Sequence, residues 1–220
     1  MNRKLCIIAG FGPGMGFAIA KRFAREGFDL VLLARHPDPA LIEALERFGG
    51  RVTAYPTDLS RVETIGDVMA SVRTDHGPAD VLVYNGGAWN EGPPLAMRSE
   101  DFHRDLALCI VGAYACAQAV AGDMRARSGG VILFTGGGLA LHPAYGVNVL
   151  SLVAGKSGLR GLGLALHDAL KPDGIHVGMV TIAGVVASDT AFDPDRIADR
   201  YWDLVQEPKA EWTAEIVFTG

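Results

Sequence analysis

Seven short apolar, β-prone runs alternate along this chain with six longer helical segments, and that alternation admits few architectures. The runs are Leu5–Ala9, Leu30–Ala34, Arg51–Tyr55, Val81–Tyr84, Val131–Phe134, His176–Val180 and Glu215–Phe218. Most are near-continuous in apolar residues, as strands covered on both faces are. Between them lie Met15–Glu26, Pro39–Phe48, Val62–Asp75, Ser99–Arg127, Val149–Leu170 and Asp195–Val205, each long enough to return the chain to a parallel neighbour. Such crossovers are right-handed, which reduces the strand orders to the doubly wound 3-2-1-4-5-6 with an added seventh strand. The sequence therefore predicts an α/β, three-layer doubly wound fold with a seven-stranded parallel sheet, in a single domain over residues 1–220.

With 49% of its 220 residues hydrophobic, the chain is able to bury a large core without splitting. The net charge is −5 and the basic residues are scattered, so neither a nucleic-acid face nor an anionic membrane surface is expected. Small neutral or anionic ligands fit better. Cys6, Cys109 and Cys116 lie in apolar segments at spacings that match neither a zinc site nor a disulfide framework, and are expected to be buried thiols. No apolar run approaches the ~18 residues of a membrane span, and no signal-peptide layout opens the chain, so a cytoplasmic location is expected. Two segments, Leu106–Val120 and Leu150–Leu166, are apolar over more than one stripe and carry the small residues Gly112, Ala113, Gly155 and Gly158. Such helices need cover on every side. They predict a symmetric homodimer or homotetramer.

The first strand runs directly into Gly10-Phe11-Gly12-Pro13-Gly14-Met15-Gly16 and then into a helical pattern. Glycines let the backbone turn tightly and approach a pyrophosphate, while free amides at the helix start receive its charge. Further along, Asp58-Leu59 follows the third strand, Asn85-Gly86-Gly87 the fourth, and Ala183-Gly184-Val185-Val186-Ala187-Ser188 the sixth. In these segments the chain resembles the short-chain dehydrogenase/reductase family over its whole length. The resemblance implies a Rossmann fold that binds a nicotinamide dinucleotide. It places Gly10, Gly12, Gly14, Met15 and Gly16 at the pyrophosphate, Asp58 and Leu59 at the adenine, and Asn85, Gly86, Gly87, Gly184, Val186 and Ser188 along the nicotinamide half. At the end of the second strand, where an NAD enzyme usually carries a carboxylate, stands Arg35. Its guanidinium suits a 2′-phosphate and stacks on adenine, so NADP is preferred to NAD.

The family's reaction passes a hydride between nicotinamide and a carbonyl or carbinol carbon, with a Tyr, a Lys four residues later, a Ser and an Asn handling the proton. Lys156, in Ala154-Gly155-Lys156-Ser157-Gly158, resembles the family's lysine and is expected to bind ribose. Four residues earlier stands Leu152, the serine position reads Thr135-Gly136, and Cys109 lies where the asparagine is expected. Leu152 carries no proton to donate. Tyr145, in the loop Ala140–Gly146 with His142, is a substitute acid, assisted by Lys156 and Thr135. The segment after Ser188 is short, so the nicotinamide end is expected to be open, with Trp89 and Trp202 either lining it or packed in a core or interface. Two functions follow from these residues. One is an oxidoreductase that reduces an activated carbonyl or enone with non-standard acid-base groups on a small-molecule substrate. The alternative is a catalytically inactive NADP(H)-binding regulator or scaffold.

Overall fold

The computed structural model describes residues 3–220. At its centre is a parallel sheet of seven strands in the order β3-β2-β1-β4-β5-β6-β7. The strands are β1 Leu5–Ala9, β2 Asp29–Ala34, β3 Val52–Pro56, β4 Val81–Tyr84, β5 Gly130–Gly137, β6 Ile175–Ile182 and β7 Glu215–Phe218. The helices are α1 Met15–Arg25, α2 Pro39–Glu46, α3 Val62–His76, α4 Ser99–Leu106, α5 Gly112–Ala126, α6 Leu150–Leu170 and α7 Pro194–Gln206. The predicted doubly wound order, with its seventh strand, is the observed one.

Side chains alternate between the two faces of each strand. Leu5, Ile7 and Ala9 meet Ile65 of α3, Cys116 of α5 and Leu159 of α6 on one face. Cys6 and Ile8 meet Ile19 of α1, Leu45 of α2 and Tyr201 of α7 on the other. All three cysteines are free and buried. Ala9 lies level with Leu33 of β2 and Tyr84 of β4, so the loops that leave these three strands emerge together at one edge. That edge, where strand order reverses between β1 and β4, is where open α/β sheets hold their ligands.

The helix expected over Ser99–Arg127 forms as α4 and α5 joined by a π turn over Ala107–Val111. A distant residue explains the wide turn: the hydroxyl of the buried Tyr84 donates to the carbonyl of Leu108. Gly112 follows because a Cβ there would stand 2.5 Å from the Leu59 carbonyl oxygen and 2.6 Å from the Tyr84 hydroxyl. Contrary to the sequence reading, the 28 residues Ser99–Ala126 are long and apolar enough to cross a membrane by length and composition. In this fold half of the most apolar stretch is buried, with α5 against α3 and the π turn against α6.

Helix α7 is capped by Asp193, whose side chain accepts from the Asp195 amide at 2.8 Å, with Pro194 in the first turn. It packs on α1, and Trp202 sits edge-on to Phe23 and Phe28 there. Trp202 is thus a packing residue on the face opposite α6 and does not line the opening.

Candidate active site

The loop after β1 is held by the protein at one end and free at the other. Gly10 and Phe11 both donate backbone N–H to the Leu33 carbonyl at 3.0 Å, and the Asn85 side chain donates to the Gly10 carbonyl at 3.0 Å. Gly10 has φ +94°, and a Cβ on it would stand 2.8 Å from the Asn85 carbonyl carbon. Gly16 is equally confined, 2.9 Å from the Gly10 oxygen. Gly12 and Gly14 are different: a Cβ on either would meet nothing within 4 Å. They border the start of α1, which has no side-chain cap and no acidic residue in its first turn. The first amides of a helix lack partners within it, and an anion satisfies them.

From this loop a cavity of about 680 Å³ runs past Arg35, Asp58 and Leu59 to Gly86, Gly87 and Trp89. Asp58 accepts from the Ser60 hydroxyl at 2.7 Å and from its amide at 3.0 Å. Burial pulls the Asp58 carboxyl upward, but these bonds and the charges of Arg35 and Arg61 leave it below the ordinary carboxylate value. Arg35 is exposed at the end of β2, on the wall that Asp58 also lines.

At the far end, Lys156 is buried in α6, its Nζ donating to the Thr135 carbonyl at 2.8 Å and to the Gly86 carbonyl at 3.3 Å. Gly87 and Gly137 flank it: a Cβ on Gly87 would lie 3.5 Å from Nζ, and one on Gly137 3.4 Å from Cγ. Burial pushes its pKa below that of an ordinary lysine. Thr135 presents its carbonyl, not its hydroxyl, to Lys156. The alternation of β5 turns the hydroxyl to the α7 side, where it bonds the buried Tyr201 hydroxyl at 2.7 Å. Nor is a serine accommodated at Gly136, where a Cβ would stand 2.2 Å from Thr181 Oγ1. Leu152 is buried, and Cys109 sits in the π turn beside Gly155, whose Cβ would be 2.6 Å from that of Cys109. Burial raises the Cys109 thiol, against the nearby Lys156 charge and a hydrogen bond from the Ala88 amide.

Tyr145 stands exposed in a short turn over Pro143–Gly146, its ring against His142 with centroids 5.6 Å apart. The structure does not bond it to Lys156 or Thr135. Ser188 is exposed, and Val186 packs against the core shared with α1 and α7. Gly184 has a structural reason of its own: a Cβ there would stand 2.2 Å from the Phe192 ring. Residues 187–193 close on themselves, Thr190 Oγ1 donating to the Ala187 carbonyl at 2.7 Å and the Asp189 amide to Asp193 Oδ2 at 2.9 Å.

Sequence reasoning missed one cluster. Asp105, 4% exposed, accepts from Asn90 Nδ2 at 2.7 Å and Ser151 Oγ at 2.6 Å, both on Oδ2, and so ties the loop after β4 to α4 and α6. A carboxylate followed at once by the apolar run Leu106–Val111 was the available signal.

The family model for short chain dehydrogenases matches residues 4–195. The chain belongs to that family. Human 3-oxoacyl-[acyl-carrier-protein] reductase is 27% identical over 86% of this chain and 78% of its own length. The chain spans about half of two other relatives: sorbose reductase from Candida albicans is 28% identical over 61% of this chain and 50% of its own length. The 7alpha-hydroxysteroid dehydrogenase of Escherichia coli K12 is 31% identical over 60% of this chain and 52% of its own. Among solved structures, a metagenomic short-chain oxidoreductase in complex with NADP superposes with a TM-score of 0.86 at 28% identity, covering 97% of this chain and 96% of its own.

Proposed function

We propose that the protein is an NADP-dependent reductase of an activated carbonyl or enone, with proton-transfer groups unlike the family's usual set. The observation that carries this reading is the pair Gly12 and Gly14, where a Cβ would meet nothing within 4 Å, beside the uncapped start of α1. That open cradle fits a pyrophosphate. Met15 and Gly16 open the same helix. Asp58 and Leu59 suit the adenine, and Asn85, Gly86, Gly87, Gly184, Val186 and Ser188 the nicotinamide half.

No carboxylate ends β2, and Arg35 there fits a 2′-phosphate. Arg35→Ala is expected to weaken NADPH binding by about tenfold to a hundredfold, the range of one charge-assisted hydrogen bond, and to leave NADH binding unchanged. Calorimetric titration with both nucleotides checks this, and equal losses for the two would assign Arg35 another role.

Bound in this cleft, NADPH supplies a hydride from C4 of its nicotinamide ring. Lys156 would hold the ribose and keep a positive charge beside the substrate oxygen, its Nζ fixed by the Thr135 carbonyl. For the proton, the other tyrosine hydroxyls are placed elsewhere: Tyr55 bonds Asp75, Tyr84 the Leu108 carbonyl, Tyr201 Thr135, and Tyr114 lies exposed on α5. Tyr145, exposed in the turn that follows β5, is the remaining phenol. Tyr145 would give its proton to the substrate oxygen, or for an enone to the carbon adjacent to the one reduced, and solvent would restore it. Tyr145→Phe is expected to slow turnover about 100-fold or more with NADPH affinity unchanged. Full activity in that variant would leave Lys156 as the proton carrier.

One observation favours a second reading, a nucleotide-binding regulator or scaffold: Leu152 in place of a proton donor. It predicts tight NADPH binding without oxidation of any substrate in a broad panel. In either case we assign a homodimer or homotetramer interface to the π turn, α5 and α6, where Val111 of the turn and Tyr114 of α5 are exposed.

A further inference from the structure

Among the described residues, six of the ten large apolar side chains left in solvent lie towards one end of the sheet. Trp89, Leu95, Tyr145, Val147, Leu150 and Val185 are all exposed, and all lie on chain that follows the carboxyl ends of β4, β5 and β6. In a parallel sheet these ends share one edge. The segments also touch in series. The Gly92 amide donates to the Asn148 carbonyl at 2.9 Å, and a Cβ on Gly138 would stand 3.0 Å from Ala183 Cα. These segments thus share the sheet edge on which the site opens, with Trp89 lining the cavity that runs to Gly87, and we call them its apolar rim. Leu95 and Leu150 also line a cavity of about 790 Å³ beside it.

Leu95 argues that this rim meets a ligand. It is 94% exposed, and its backbone lies in the left-handed region at φ 65°. That conformation is unfavourable for a leucine and easy for Asn or Gly, and no burial of the side chain compensates for it. Backbone preference and packing both oppose a leucine here. Contact with an apolar ligand is the interaction that favours it.

Among the described residues, the segment after β6 is the one that follows the rim, and it is not arranged over it. The turn over residues 187–193 is tied to itself by the Thr190 and Asp193 bonds, and Phe192 is seated on Gly184 and edge-on to Phe218. These contacts hold it away from the mouth in this structure. We infer that the substrate's own apolar body covers the rim, and that this enzyme selects lipophilic carbonyl compounds over polyhydroxylated ones, with Leu95 and Val147 as specificity-determining contacts. This inference rests on the reductase reading.

The test is a homologous series of methyl ketones from butan-2-one to octan-2-one, after NADPH binding has been measured on its own. Each methylene that becomes buried strengthens transition-state binding by about fourfold, so kcat/KM is expected to climb by that factor per carbon before levelling off. Leu95→Asn with Val147→Ser is expected to flatten the rise to less than about twofold per carbon, leaving NADPH affinity unchanged. Leu95→Asn alone is expected to raise Tm, because Asn suits the left-handed backbone, and a residue with a merely structural role would not give that combination. If NADPH binds and no ketone is reduced, the same slope is read from calorimetric affinities of the NADPH-loaded protein. If NADPH does not bind, the reductase reading falls, and titrating the series into the protein alone decides the rim separately. A flat series in the parent protein, or a slope that survives the double substitution, overturns the inference. So does a flat series in an oligomer that Leu95→Asn dissociates, since a second copy would then be what covers the rim.

Discussion

Lys156→Met is expected to lower turnover by about 10²–10⁴-fold, the range found when a positioned proton-transfer group is lost. Methionine keeps an unbranched apolar stem against Gly137, so the packing around the side chain is largely retained. What it removes is the ammonium between the Thr135 and Gly86 carbonyls. Each carbonyl left without a donor costs about 1–3 kcal/mol where water does not replace it. Thermal stability must therefore be followed beside NADPH oxidation on a methyl ketone that turns over. A fall in rate larger than the fall in stability accounts for places Lys156 in the chemistry. An unchanged rate removes it, and with it the reductase mechanism above.

The second large effect separates two glycines of one loop. Gly10→Ala is expected to destabilise the fold by about 2–4 kcal/mol, combining a left-handed backbone with overpacking. Its φ of +94° and the 2.8 Å approach to Asn85 are the causes. Against a total stability of about 5–15 kcal/mol that is a large fraction. Gly12→Ala has open space around it and is expected to fold with an undiminished Tm, since losing a glycine also restricts the unfolded chain. Its methyl group would occupy the cradle, and NADPH binding is expected to weaken at least tenfold, about 1.4 kcal/mol. Denaturation and calorimetry on the two variants in parallel check both. A Gly12→Ala protein that binds NADPH like its parent would move the phosphates elsewhere.

The elements legible in the sequence were those set by local pattern. Buried strands announce themselves as apolar runs, so β1 and β4 fall at the predicted residues, while β6 extends past His176–Val180 to Ile175–Ile182 because neighbouring strands continue its pairing. The glycine loop was legible for the same reason. What stayed hidden depended on residues far apart in the chain. The π turn answers to a tyrosine hydroxyl 24 positions away. The side to which Thr135 turns its hydroxyl follows from strand register, and its partner Tyr201 lies 66 positions on. Gly184 read as a cofactor contact, yet the Phe192 ring alone is enough to require it. Leu95 left no trace at all in the sequence, since a backbone angle is what makes it unusual.

The self-tied turn over residues 187–193 also bears on kinetics. Enzymes that close a mobile flap over the nicotinamide often release product more slowly than they transfer hydride, and flap opening then hides the chemical step. Here the corresponding segment is tied by its own side chains, Thr190 and Asp193. With NADPH deuterated at the transferred hydrogen, a primary isotope effect is therefore expected to appear in kcat itself, and kcat is expected to be insensitive to solvent viscosity. Steady-state rates in water and in sucrose solutions, with both isotopologues, measure this directly. A muted isotope effect that grows as viscosity falls would mean that some other part of the chain gates the site.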